Sequence, residues 1–446
     1  MKKLFLVLLI GTTLALSISE TIAQPVVLSR RDQAKVIDEL LEDRLRTILP
    51  GLMRREGLDM WVIISREYNE DPVIKTLLPA TWFAARRTTM LVVYDRGAEK
   101  GLEFLAVARY DVGKVFKRAW DPDANPDQWA QLSKLIQERS PKKIGVNKAP
   151  GYGHADGLTA NDYDRLMEVL PAKLRSAVTS AEKLSVSWLE TRSEREMAIY
   201  GLICRIAHDI IAEGFSEKVI QPGVTTTDDV VWWFRERIAE LKLDTWFQPS
   251  VSVQRNEEEA LTSKRPQPLV IMPGDLLHVD FGITYLRLNT DTQQHAYVLR
   301  SGETSVPEYL QAAFRQGNQV QDILTSNFRE GATGNGLLKA TREQAVAKGL
   351  KPSIYSHPIG YHGHAAGVSI GMWDNQDNVP VTGEWPMHLN TAYSIELNAT
   401  AYVAEWKKEV RIMLEEDGYF DAAGFRYIDG RQREIMPIPR PGANKP

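Results

Sequence analysis

Asp280 stands inside the run Pro273-Gly274-Asp275-Leu276-Leu277-His278-Val279-Asp280-Phe281-Gly282, which otherwise has the character of an apolar strand. A carboxylate in such a strand is costly unless a metal ion, an opposite charge or several donors answer it. The fold must therefore gather compensation around this position. Asp291 follows in the next segment, and a turn near Tyr285 to Leu288 would let the two carboxylates meet across adjacent strands. The same spacing also suits a structural hairpin, because loops are rich in aspartate.

Further along, Ser356-His357-Pro358-Ile359-Gly360-Tyr361-His362-Gly363-His364-Ala365-Ala366-Gly367 concentrates three of the chain's 8 histidines. Neutral imidazole is the commonest metal ligand, and small neighbours let it approach an ion; the bland alternative is a set of surface histidines in a glycine-rich loop. Glu396 interrupts the apolar Tyr393-Ser394-Ile395-Glu396-Leu397, and Glu415-Glu416-Asp417 ends the strand-like Val410 to Leu414. Two aspartates, a histidine and two glutamates from separate strands suit two divalent cations roughly 3.5–4 Å apart. Oxygen donors mixed with one nitrogen favour Mn, Zn, Co or Fe over a thiolate-selected metal.

The remainder of the chain sets the frame. Lys2-Lys3, the apolar Leu4 to Leu16 and Thr21-Ile22-Ala23 form a secretory leader with cleavage expected after Ala23, giving a periplasmic or secreted product. No later stretch is apolar enough to span a bilayer, so stable membrane insertion is not expected. A net charge of -4 gives no footprint for nucleic acid. The lone Cys204 cannot form an internal disulfide and reads as a small core residue. Asp32 to Glu56 has helical spacing closed by Gly57, and the β-like runs from Met60 to Val146 alternate with helices, as in an α/β layer with a buried sheet. Ser193 and Glu196 have capping-box spacing at the entrance to a second domain. Beyond Pro249 the pattern is β-rich, and a Pro-, Arg- and Gly-rich tail after Met436 should be partly mobile.

In order and spacing, Asp280, Asp291, a glycine-flanked histidine, Glu396 and Glu415 resemble the pita-bread family of aminopeptidase P, prolidase, methionine aminopeptidase and creatinase. Gln221-Pro222-Gly223-Val224-Thr225 is similar to the family's turn before its second helix, and Pro273-Gly274-Asp275 to its entry to the first ligand strand. The resemblance covers about Ser185 to Phe420 and is nearest the Xaa-Pro aminopeptidase and prolidase type. Between the leader at 1–23 and the tail at 437–446, it implies an α/β N-terminal domain of creatinase type over 24–185 and an α+β pita-bread domain over 186–436. It also implies two bound divalent cations, hydrolysis of a proline-containing peptide by a metal-dependent exopeptidase, and a homodimer in which the N-terminal domain of one subunit borders the partner's site.

Carried over one residue at a time, Asp280 is a chelating ligand, Asp291 a bridge, Glu396 a terminal ligand and His364 the imidazole ligand, with His362 the alternative. His357 is a substrate-side histidine, and Glu396 or Glu415 takes the proton. The departures are specific. The family's last bridging glutamate stands two residues after an arginine, where this chain has Met413. Glu415 shares the strand parity of Met413, so a bulge would bring it, and not Glu416, to the ions. One proton-transfer histidine falls near Thr262 or Ser263, the other at Trp373, and the family's proline-glycine is Leu397-Asn398. The competing expectations are a creatinase-like hydrolase of small carbon–nitrogen compounds and a catalytically silent binding protein.

Overall fold

The computed structural model describes residues 27–256 and 268–441; the leader expected to end at Ala23 lies outside them. Among the described residues no helix is long and apolar enough to cross a membrane. The apolar spacing from Asp32 to Glu56 forms two helices, Arg30–Thr47 and Leu49–Arg55, where one was expected. Pro50 is the reason: in a first turn its missing N–H is harmless, whereas inside a longer helix it would remove a bond and clash with the preceding turn.

The N-terminal sheet comprises β1 (Met60–Arg66), β2 (Thr88–Asp95), β3 (Leu102–Val107), β4 (Lys117–Arg118), β5 (Ile144–Val146) and β6 (Val178–Ser180), in the order β4-β3-β2-β1-β5-β6. Trp61 and Ile63 of β1 enter one apolar cluster, and Met60, Val62 and Ile64 enter another on the opposite face. Both faces are covered, so the strand is apolar without alternation.

The second unit opens with the helix Glu194–Gly214, whose capping box is formed: Glu196 N–H donates to Ser193 Oγ and Ser193 N–H to Glu196 Oε2. A second helix, Thr227–Glu240, buries Phe234 while Trp232 stays exposed. Then come β7 (Ser250–Gln254), β8 (Leu276–Phe281), the short β9 (Thr284–Tyr285) and β10 (Leu288–Asn289), and β11 (Thr292–Val298). Leu277, Val279 and Phe281 point into the core against the two helices. His278 and Asp280 therefore face the other way, as the two-residue period requires. The remaining strands are β12 (Pro352–Ile354), β13 (His357–Pro358), β14 (Thr391–Ser394), β15 (Leu397–Val403), β16 (Lys408–Leu414), β17 (Asp417–Asp421), β18 (Gly424–Tyr427) and β19 (Met436–Ile438). The last is a departure from the expected tail: it pairs in parallel with β11 and buries Ile438.

β14 with β17 and β15 with β16 keep one antiparallel register, so no residue is inserted between them. The bulge expected beside Glu415 is absent. Instead the ladder opens at Glu396 and Glu415, and each finds other partners. The Glu396 carbonyl accepts from Tyr355 N–H, and Glu415 exchanges both backbone bonds with Gln293. This opening brings the sheet of β8 and β11 against the two long strands.

The two units are joined by a buried ionic group. Arg44, from the first helix, pairs with Glu196 at 2.7 Å and donates to the carbonyls of Thr191 and Trp188; Arg192 pairs with the other Glu196 oxygen at 3.3 Å. Burial works against the Glu196 charge, yet Arg192 and Arg44 hold its carboxyl below the usual range. Both guanidinium groups stack on Tyr361, at 5.1 and 4.8 Å. Removing one member of such a group leaves polar atoms buried without partners. Arg44→Met is expected to lower unfolding free energy by about 3–5 kcal/mol, read by denaturant titration; a loss under ~1 kcal/mol would mean the group holds nothing together.

Candidate metal centre

Asp280 on β8 and Asp291, just before β11, are brought together by the hairpin between them. Its tip, Leu286-Arg287, has φ of 54° and 67°, a pair of left-handed residues that matches the twist of the flanking strands. Arg287 also donates to the Leu78 carbonyl, fixing the hairpin against the N-terminal unit. Ligand atoms of Asp280, Asp291 and Glu415 lie within 4.8 Å of one another, as do those of His357, Glu396 and Glu415, and of Asp291, His357 and His364. Every residue expected to bind metal is thus in one cluster.

The cluster distinguishes the histidines. His357 Nε2 lies 3.9 Å from Asp291, 4.0 Å from Glu396 and 3.9 Å from Glu415. His364 stands edge-on to His357 at 4.9 Å between ring centroids and reaches only the Asp291 side. The ligand geometry therefore favours His357, where the sequence pattern pointed to His364. His362 is turned away, its ring 4.7 Å from that of His154 in the N-terminal unit. The glycines of this loop serve packing as well: a β-carbon at Gly363 would lie 2.3 Å from the Trp246 indole, and one at Gly360 2.9 Å from the Arg192 guanidinium.

The electrostatics call for cations. Among the described residues no lysine or arginine forms an ion pair with any of the four carboxylates. Burial lifts Asp280 to about 7, and burial with the nearby Asp280 charge lifts Glu396 to about 8. Burial also pushes Asp291 and Glu415 far up, with the Asp280 charge adding to the first and the Asp291 charge to the second. Asp280 Oδ1 and His357 Nε2 are buried without a hydrogen-bond partner. Orphaned donor atoms on a ring of repelling carboxylates, with one imidazole, fit a pair of divalent cations.

Glu416 is built differently. It faces the other side of the strand, where it meets His208 at 2.7 Å, the Gln294 amide at 3.0 Å and the Gln432 N–H at 2.9 Å. Burial opposes the charge of His208, but Glu416 and Asp429 on either side carry it up to about 10. Glu416 has its cation within the protein; Glu415 does not.

Three residues of the centre, Gln293, His278 and Ser394, were not singled out from the sequence. Gln293 donates from Nε2 to Glu396 at 3.0 Å and Glu415 at 2.6 Å, so its Oε1 must accept from His278 Nε2, 2.8 Å away. His278 then carries its proton on Nε2 and accepts at Nδ1 from Ser252 Oγ at 3.3 Å. Ser394 Oγ holds the far oxygen of Glu415. Gln293 is two residues after Asp291 and His278 two before Asp280, so strand parity was the available signal. Thr262 and Ser263 lie outside the described residues, and Trp373 is 75% exposed at the edge of the centre.

Residues 202–417 match the model of metallopeptidase family M24. No curated protein matches the chain. Among solved structures, an X-Pro aminopeptidase from Thermotoga maritima MSB8 aligns with a TM-score of 0.60 at 17% identity, over 87% of this chain and 100% of its own. An Xaa-Pro dipeptidase from Bacillus anthracis gives 0.54 at 17% identity, over 91% and 99%. A dipeptidase from Pyrococcus horikoshii OT3 gives 0.56 at 18% identity, over 89% and 99%. At these identities the likeness is one of fold.

Two outcomes are expected. In metal titrations, Glu415→Gln should lose affinity by on the order of 100-fold or more and Glu416→Gln by little; Gln293→Leu should fall between, at roughly 10- to 100-fold. Equal small losses for the two glutamates would remove Glu415 from the centre. The second concerns pH. With cations chelated, the folded chain holds protons on Asp280 up to about 7 and on Glu396 up to about 8, whereas unfolded carboxylates release theirs near ~4. The folded state binds more protons across that window, so its stability must fall as pH rises through it. The melting temperature of the chelated protein should drop between about pH 4 and 8, and Asp280→Asn should flatten the drop; a rise with pH would contradict the site's electrostatics.

Proposed function

We propose, from the match of residues 202–417 to the model of metallopeptidase family M24, that the chain is a peptide hydrolase of that family, a dinuclear metal exopeptidase that cleaves proline-containing peptides in the manner of an Xaa-Pro aminopeptidase or prolidase. The observation that carries the reading is the convergence of Asp280, Asp291, Glu396, Glu415 and His357 Nε2, with no lysine or arginine ion-paired to them among the described residues. The names of the solved relatives, X-Pro aminopeptidase and Xaa-Pro dipeptidase, support the proline preference.

Asp280, Asp291, Glu396, Glu415 and His357 would hold the two cations; Mn, Zn, Co and Fe suit the donors. Such a pair, when bound, supplies polarisation of the scissile carbonyl and a more acidic water. The rest falls to the chain. Gln293 holds Glu396 and Glu415 in one orientation through a single amide. Glu396, with its side chain 24% exposed against 2% for Glu415, is the carboxylate open to substrate and the one that relays a proton to the leaving amine. His364 is exposed, beside Tyr355 at 5.8 Å and Trp246 at 5.2 Å, and borders the substrate.

The reading includes a homodimer. Phe83 is fully exposed and Tyr68 86% exposed, on neighbouring loops both tied to the Glu70 carboxylate, and a second subunit would cover them.

The test is a peptide panel with the purified, metal-loaded protein, with light scattering of the same sample. Expected are two cations per chain, cleavage next to proline, loss of at least about 100-fold in activity and of one cation in His357→Ala, and a loss expressed mainly in KM for His364→Ala. Two bound cations without any peptide cleavage would favour the silent binding protein, and a monomeric mass would remove the dimer.

A further inference from the structure

Glu190 is wholly buried and lies outside the metal cluster. It belongs to the segment that joins the two units: Thr191 beside it bridges to Thr391, and the Arg192 N–H donates to the Asn390 carbonyl. A buried carboxylate is costly unless something answers it. Here His388 does, with Nδ1 at 2.6 Å from Glu190 Oε1. A carboxylate accepts, so His388 carries its proton on Nδ1. The ring is partly exposed and lines a cavity of about 250 Å³ together with Arg55, Glu330 and Asn390.

The other oxygen, Glu190 Oε2, is buried without a hydrogen-bond partner and abuts the histidine loop. A β-carbon at Gly367 would lie 2.7 Å from this oxygen and 2.7 Å from Pro358 Cγ, so both ends of the loop close on the carboxylate. Gly367 has a φ of 132°, which glycine adopts freely, and its carbonyl accepts from Tyr152 Oη of the N-terminal unit at 2.8 Å. The Ala365 N–H donates to the Pro358 carbonyl at 3.1 Å, which draws the loop shut.

That Pro358 carbonyl has a second task. His357 Nδ1 lies 2.9 Å from it, and a carbonyl can only accept. His357 therefore carries its proton on Nδ1, which leaves the Nε2 lone pair to face Asp291, Glu396 and Glu415. The tautomer and orientation of a metal-binding histidine are set by the bond its other nitrogen makes. Here the partner is a peptide group of the loop itself, so the ring is only as fixed as the seat of Pro358. An apolar side chain at position 190 would fill the same space. The carboxylate adds direction, because His388 pins Oε1 and Oε2 then cannot swing away from Gly367.

We propose that Glu190, oriented by His388, is a positioning residue for the metal centre: it seats Pro358 and Gly367 and, through the Pro358 carbonyl, aims His357 at the cations. The proposal rests on the reading of His357 as a ligand given above.

The experiment is Co(II) titration of the full chain and of its His388→Leu, His388→Asn and Glu190→Asp variants. Affinity and visible d–d spectrum are read for each ion, beside kcat, KM and the melting temperature of the metal-free protein. In His388→Leu one of the two ions is expected to bind roughly 10- to 100-fold more weakly with a shifted spectrum, while the other stays within about threefold. The loss in turnover should fall on kcat more than on KM. His388→Asn, whose amide N–H can take the place of Nδ1–H, should return the affinity to within about threefold of the wild type. Should His388→Leu not fold, Glu190→Asp, which keeps the charge and withdraws it by about 1.5 Å, should show the same shift in smaller measure. Wild-type spectra and affinities in His388→Leu and Glu190→Asp would overturn the positioning role, as would equal weakening of both ions with a lowered melting temperature that His388→Asn does not repair. A wild-type chain that binds no Co(II) would overturn it together with the reading of the centre. Cleavage beside proline with unshifted spectra in every variant would leave the proposed function standing and remove this inference; the shift in His388→Leu and its repair in His388→Asn, with no peptide cleaved by the wild type, would do the reverse.

Discussion

Mutual repulsion among Asp280, Asp291, Glu396 and Glu415 is the constraint around which the second unit is organised. Each is buried among the others, and among the described residues no arginine or lysine forms an ion pair with them. A sheet with every ladder bond made would leave no room for this cluster. Glu396 and Glu415 occupy the one level at which two long strands part, and their backbone groups bond instead to Tyr355 and Gln293. The break in regular pairing gives the Glu396 carbonyl and both Glu415 backbone groups new partners while turning two carboxylates toward a common point.

The contrast between adjacent residues shows how finely the chain discriminates charge. Glu415 and Glu416 are both almost wholly inaccessible, yet one is balanced by a histidine held between two carboxylates and the other is held only by neutral donors. An internal counter-ion at Glu415 would compete with a metal. Placing His208 on the opposite face keeps the structural ion pair from quenching the chemical site.

Much of this was legible in the sequence, because period-two strands report which residues share a face. Asp280 and Glu396 stood out as carboxylates in apolar runs, Asp291 by its spacing from Asp280 and Glu415 at the end of a strand, and parity chose Glu415 over Glu416. The expected bulge was the wrong device, since parity alone already turns Glu415 inward and a splayed ladder leaves no trace in spacing. The histidine loop was less legible. Residues 359–367 have no period, so which ring reaches the ions depends on where Trp246 and Arg192 press on Gly363 and Gly360, contacts made by distant segments. The break at Pro50 was readable from proline alone, whereas the pairing of β19 with β11 depends on long-range packing that a proline-rich segment does not advertise.

Tyr361 lies within that histidine loop and is stacked against Arg44 of the first helix and Arg192 of the connecting segment. The ring between His357 and His364 is thus seated on a side chain contributed by the other unit. The N-terminal unit is accordingly not a detachable module. A chimera that exchanged it between related enzymes would have to carry Arg44, Glu196 and Tyr361 as one inherited set, which makes the seam between the units the place where recombination is least free.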